Sequence, residues 1–216
     1  MERIILDGKK RECKSTVKTW EEHGMTFEGK ANTCKRVEKP SLIIWHWTGG
    51  ENPASTVYET LIRRRLGVEF CIDIEGIIWQ FVDPLLWDPQ DTSGAEGHRS
   101  ISIEIVNYGF AWKKSEVPVK GRDRIVDNET IHTNKLRVAR FWPDQITAVE
   151  NLTITLCDSL NIPKKFPKDK NGKTALHVLT PEEQKNFTGI MGHFHKTTQK
   201  FDPGFHIFKV LEHLEA

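Results

Sequence analysis

The stretch Leu42-Ile43-Ile44-Trp45-His46-Trp47 constrains the fold more than any other part of the chain. It is continuously apolar, with no alternation, and Thr48-Gly49-Gly50 ends it. Such a run reads as a strand covered on both faces. The residues after it supply elements to pack around it. Asn52 can cap a helix and Pro53 suits its first position. Val57, Leu61, Ile62 and Leu66 share one face of that helix, and Gly67 is placed to stop it. Val68–Asp73 and Ile77–Val82 predict a hairpin turned at Glu75-Gly76. Ser100–Val106 alternates cleanly, with Ile101, Ile103 and Ile105 on one face and Ser100, Ser102 and Glu104 on the other. Pro143 opens a long amphipathic helix whose stripe is Ile146, Val149, Leu152, Leu156 and Leu160, ending before Pro163. Phe187–Gly192 reads as a further strand, and Phe208, Leu211 and Leu214 as a short C-terminal helix. Strands alternating with helices predict an α/β domain around one sheet.

Residues 1–40 are polar and weakly periodic; apart from a short strand at Ile4-Ile5-Leu6 turned by Asp7-Gly8, they are expected as an N-terminal arm packed on the domain. The core then runs over 41–216, interrupted by a charged, aperiodic insertion at about 108–141. The lysines between Lys164 and Lys173 read as a solvated loop. Lys plus Arg number 31 against 30 Asp plus Glu, a net charge of +1, which removes the electrostatic case for a nucleic-acid partner. No segment has the roughly 18 apolar residues of a membrane span, so membrane insertion is not expected. The start, MERIILDGKKREC, lacks the apolar core of a signal peptide, so the expected location is cytoplasmic. The four cysteines form no CxxC pair; Cys71 and Cys157 read as buried, and Cys13 and Cys34 could pair, although a reduced state is expected in the cytoplasm.

Chemistry is sought among the nine histidines. His23, His132 and His213 sit in charged surroundings and read as surface residues. His46 differs, being the one ionisable group inside a strongly apolar strand, and a buried imidazole needs a hydrogen-bond partner or a metal. The second feature is Gly192-His193-Phe194-His195 followed by Lys200-Phe201-Asp202-Pro203-Gly204, a histidine at a strand end and then a carboxylate on a Pro-Gly turn. With His46 these give two imidazoles and one carboxylate, leaving a fourth position for water, as in catalytic zinc sites. Glu104 reads either as a solvent-facing carboxylate on a half-exposed strand or as a general base.

These blocks together resemble the zinc-dependent N-acetylmuramoyl-L-alanine amidases, a family that includes phage lysozyme-type amidases and animal peptidoglycan recognition proteins. Ile43-Ile44-Trp45-His46-Trp47-Thr48-Gly49 is similar to the family's first strand, and Phe70-Cys71-Ile72-Asp73-Ile74-Glu75-Gly76-Ile77-Ile78-Trp79-Gln80 to its hairpin. Ser100-Ile101-Ser102-Ile103-Glu104 resembles its catalytic strand, and Gly192-His193 with Lys200-Phe201-Asp202-Pro203-Gly204 its closing loop. The likeness runs in the family's order from about Ser41 to Leu214.

The resemblance implies a mixed central β-sheet flanked by helices in a single domain. It implies Zn2+ on His46, His193 and Asp202, with Glu104 as catalytic glutamate and Lys200 facing the reacting centre. His195 is the rival to His193 as ligand. The implied substrate is peptidoglycan or a muropeptide, cut between N-acetylmuramic acid and L-alanine, in an endolysin or a cytoplasmic recycling enzyme. Two other functions stay open: a recognition module that binds peptidoglycan without cutting it, and a zinc hydrolase acting on another amide. The chain departs from the family at Trp87-Asp88, where many members have Trp-His, at Val68, where phage members often have tyrosine, and at His98-Arg99. Trp45, Trp47 and Trp79 are expected in the core, whereas Trp87 and Trp112 could line a sugar groove.

Overall fold

The computed structural model describes residues 2–30, 33–89, 97–111 and 126–215. The chain begins as a hairpin of β1 (Glu2–Leu6) against β2 (Lys9–Cys13). Asp7 and Gly8 take φ of 54° and 66° at its turn, the backbone that a two-residue hairpin loop requires. β3 (Val17–Thr19) then pairs with the central sheet, followed by the short helix α1 (Trp20–His23). The segment expected as a packed arm therefore also supplies a strand, and its Ile4, Leu6, Cys13 and Val17 lie in the main core. β4 (Cys34–Lys35) comes next, then β5 (Leu42–Trp47), the apolar run.

Helix α2 (Ala54–Arg64) has Pro53, not Asn52, at its N-cap, one residue later than expected, and ends before Gly67. Arg65 itself takes the left-handed conformation that closes it, at φ 58°. Gly67 serves a different need: a Cβ there would lie 2.9 Å from Pro89 Cβ. β6 (Phe70–Ile72) and β7 (Ile78–Gln80) form the expected hairpin. Asp73 Oδ1 accepts the Glu75 and Ile77 amides at its turn, and Trp79 Nε1 donates to Asp73 Oδ2 at 2.7 Å. β8 (Trp87–Asp88) pairs with β4.

In β9 (Ser100–Ile105) the isoleucine face is fully buried, but Ser100 and Ser102 are only 3% exposed too. The strand is thus not half-exposed, and the polar alternation has another cause. Glu69, buried beneath it, accepts the Ser102 amide at 2.7 Å. Arg36, its side chain 2% exposed, donates to Glu69 and to the carbonyls of Ser100 and His98. This buried ionic cluster bonds the serines' main chain, while the Ser100 hydroxyl donates to the Gly97 carbonyl at 2.8 Å.

The segment expected as an insertion forms a sheet of its own, ordered β10-β12-β11, from β10 (Phe110–Ala111), β11 (Val126–Ile131) and β12 (Asn134–Ala139). Residues 112–125, including Trp112, fall outside the described part. α3 (Pro143–Leu160) matches its predicted span, buries Val149, Leu152, Leu156 and Leu160, and closes on Asn161 at φ 58°. α4 (Pro181–Asn186) occupies the approach to the predicted strand, because Thr180 and Glu183 form a reciprocal capping box. β13 (Gly189–Gly192) is consequently shorter than 187–192. α5 (His206–Leu211) and one 3-10 turn end the chain.

The six-stranded central sheet has the order β13-β5-β9-β6-β7-β3. β13, β5, β9 and β6 run parallel, while β7 opposes β6, so the sheet is mixed, with helices packed on it. The apolar stripe of α3 and residues of α5 share one core with Ile43, Trp45, Ile103 and Ile105. α2 packs with Cys71 and Phe81 in a second cluster. The carboxyl ends of the four parallel strands meet at one edge, where α/β sheets commonly place their ligands.

Candidate metal centre

Strand register assembles the site. His46 is the Cα partner of Glu104 across β5 and β9, and Gly192 is that of Trp45 across β13 and β5. His193, one residue beyond β13, therefore stands level with His46. The chain then makes a 3-10 turn over His193–His195 and loops back, with the Phe194 amide donating to the Asp202 carbonyl at 3.1 Å. This return delivers the Asp202 carboxylate to both imidazoles.

The three ligand atoms form a nearly equilateral triangle. His46 Nδ1 lies 3.0 Å from His193 Nδ1 and 3.2 Å from Asp202 Oδ2, and His193 Nδ1 lies 3.0 Å from that same oxygen. A tetrahedral ion with bonds of about 2.0–2.1 Å has ligand atoms about 3.3 Å apart. Two imidazole nitrogens and one carboxylate oxygen at these separations could hold such an ion with a small outward relaxation. Burial works against the ionised Asp202 carboxylate, but its bonds to His193 and His46 outweigh this and hold its pKa below the ordinary carboxylate range. His46 and Asp202 are buried and His193 is partly open, so one side of the triangle is accessible.

That side opens into a cleft of about 540 Å³, whose lining includes the three residues together with Glu104 and Lys200. All five residues singled out in the sequence thus converge. His195 does not join them. It is fully buried, its Nδ1 accepting the Gly192 amide and its Nε2 donating to the Ala175 carbonyl, both at 2.9 Å. Burial lowers its pKa to about 3, so it stays neutral, a satisfied core histidine.

Other cleft residues carried no sequence signal. Trp47, expected in the core, lies half-buried on the cleft wall beside Phe110, at a ring distance of 6.1 Å. Arg64 at the end of α2 also lines the cleft, and an arginine on a helix terminus looks like any surface charge. His132 is not a plain surface residue either, since its Nε2 donates to the Lys200 carbonyl at 3.0 Å.

The departures lie elsewhere. Val68 is buried in the α2 cluster. Asp88 accepts from His98 Nδ1 at 2.9 Å and lies 3.8 Å from Arg36 Nη2, within the buried ionic cluster beside Ser100. Trp87 carries Lys35 over its ring at 3.5 Å and is not among the cleft residues.

A mixed sheet thus gathers a tripod of metal-competent donors beside a further carboxylate, open to a cleft of about 540 Å³, in one α/β domain. The sequence profile of N-acetylmuramoyl-L-alanine amidases matches residues 36–205, and the chain belongs to that family of peptidoglycan amidases and related recognition proteins. Similar solved structures include the endolysin amidase LysCS from Clostridium intestinale, 15% identical with a TM-score of 0.48, covering 86% of this chain and 93% of that one. The amidase AmiD from E. coli is 17% identical with a TM-score of 0.41, over 58% and 46%. Drosophila peptidoglycan recognition protein SD is 13% identical with a TM-score of 0.49, over 92% and 94%. No curated protein sequence matches the chain.

Proposed function

We propose that the chain is a zinc-dependent amidase that hydrolyses the bond between the lactyl group of N-acetylmuramic acid and L-alanine. The observation that carries this is the triangle of His46, His193 and Asp202 donor atoms, 3.0–3.2 Å apart, at the floor of a cleft that Glu104 also lines. His46, His193 and Asp202 would hold the ion, which when bound acidifies water toward a pKa of about 7 and polarises a carbonyl.

The remaining work falls to the chain's own groups. Glu104, in register beside His46 and lining the same cleft, would accept a proton from the attacking water. It then passes that proton to the departing amine of L-alanine. Lys200, exposed on the cleft wall, would stabilise the oxyanion as the carbonyl becomes tetrahedral, a contribution of about 3 kcal/mol by comparison with other oxyanion donors. Trp47 and Phe110 offer apolar faces for the sugar.

The test is release of L-alanine-terminated peptide from defined muropeptides by purified, zinc-supplied protein, read by mass spectrometry. No release would end the proposal. Glu104→Gln should abolish turnover while keeping stoichiometric zinc, and Asp202→Ala should lose both. A binding module would capture muropeptide and leave it intact. Comparing intact cell walls with soluble fragments separates an endolysin from a recycling enzyme.

A further inference from the structure

Two of the candidate ligands and the cleft lysine share one loop, with His193 at its start and Lys200 and Asp202 on its return. The inserted hairpin fixes that loop. Glu129 of β11 is 5% exposed, and its two oxygens divide their work. Oε2 accepts the Phe205 amide at 2.6 Å and Oε1 accepts the His206 amide at 3.0 Å. At the hairpin tip, His132 Nε2 donates to the Lys200 carbonyl at 3.0 Å. The loop is therefore gripped on both sides of Asp202, two residues before it and three and four residues after it.

The fit between them is close. Gly204 has φ of 81°, and a Cβ there would stand 3.0 Å from Glu129 Oε2 and 3.2 Å from Val138 Cγ1. The hairpin has a firm base, because Ile131, Leu136 and Val138 are buried in the main core. The His132 amide also donates to the Leu176 carbonyl at 2.6 Å. Glu129 is held there against a desolvation cost, and burial pushes its pKa up despite the two amides. An apolar side chain would fill the space without that cost, but could not accept two N–H groups.

We infer that the β11–β12 hairpin is a clamp on the Asp202 loop, with Glu129 the principal positioning residue and His132 the second. The inference extends the proposed metal site but can be tested apart from it. Hydrogen exchange on the full-length chain compares wild type with Glu129→Gln, Glu129→Ala and Asp127→Asn. Asp127 lies on the same hairpin but its carboxylate is engaged by Arg140, so its variant controls for general loosening of the hairpin. Glutamine keeps the volume yet offers one oxygen to two donors, so it should fail almost as badly as alanine.

Both Glu129 variants should exchange about 10- to 100-fold faster at Phe205 and His206, while Asp127→Asn leaves those amides protected. Zinc release into a chelator should quicken by a similar factor, and kcat should fall with KM held. Wild-type exchange in Glu129→Gln, or equal loosening by Asp127→Asn, would overturn the clamp. A wild type that retains no zinc would remove the metal proposal instead, and the exchange comparison would still decide this one. If Glu129→Ala does not fold, Glu129→Gln carries the test.

Discussion

Replacing Asp88 by histidine would create the Trp-His pair that the family resemblance led us to expect, and the structure forecasts the opposite of a gain. Asp88 is 3% exposed and belongs to the ionic cluster with Arg36, Glu69 and His98. Arg36 donates to the Ser100 carbonyl, and Ser100 precedes Glu104 by four residues along β9, about 13 Å at ~3.3 Å per residue. The cluster thus lies toward the other end of the strand from the cleft. Asp88→His removes the carboxylate that accepts from His98 and sets an imidazole in its place between His98 and Arg36. Arg36 keeps Glu69, so the loss is less than that of stripping a buried charge entirely. The expected cost is about 2–4 kcal/mol. At roughly 2–4 °C per kcal/mol for a chain of this length, the melting temperature should fall by about 4–16 °C. Thermal melts followed by circular dichroism give that number. Muropeptide turnover, measured well below both melting points, should stay within about twofold of wild type. Either an unshifted melt, or altered turnover in fully folded protein, would refute the placement of Asp88 away from the reacting centre.

Three further outcomes can be checked directly. Zinc at 100 times its dissociation constant should stabilise the fold by about 2.7 kcal/mol, raising the melting temperature by roughly 5–11 °C, and Asp202→Ala should melt at the same temperature with or without a chelator. In metal-free protein the Asp202 carboxyl is held below its unfolded value of about 3.9, so its contribution is present above that value and is lost as pH falls through the folded one. The stability gap between wild type and Asp202→Asn, from urea melts, should accordingly be widest near neutrality and narrow in acid; a gap that widens in acid would sink this. Of the four thiols only Cys34 is exposed, while burial drives Cys157 up to about 12 and Cys71 upward as well, so mass spectrometry after brief iodoacetamide treatment of native protein should show a single adduct at Cys34.

The parts of the fold that were legible in the sequence rest on local or strictly periodic signals. Pro143 at the head of a 3.6-residue stripe placed the start of α3 to the residue, and Glu75-Gly76 marked the hairpin turn. The candidate ligand set came from the family resemblance: an imidazole inside an apolar strand needs a partner, but His46 and His193 are too far apart in the sequence for spacing alone to join them. Arg36 shows the limit. A buried arginine whose partner Glu69 is 33 residues away has the same local pattern as a solvated one, so nothing in the sequence of the arm set Arg36 apart from its other charges. Ser100 and Ser102 misled for the same reason: alternation reports that one face is polar, not that the polar face meets water.

The segment between β9 and α3 was opaque on physical grounds of another kind. Its hairpin is held by a few side chains sunk into a core built by distant elements, and its work is done by Glu129 and His132 on backbone groups some seventy residues later. Backbone acceptors and donors have no residue identity, so no pattern of side chains could announce that contact. A metal tripod drawn from two strand ends and a returning loop is only as well placed as its least supported member. His46 is fixed by two parallel neighbours and His193 follows directly from a strand, but Asp202 hangs on a loop. It is at that weakest point that the extra sheet touches the site. A segment with many charges and no clear period in the sequence is therefore where changes in metal retention should be sought, before the candidate ligands themselves are altered.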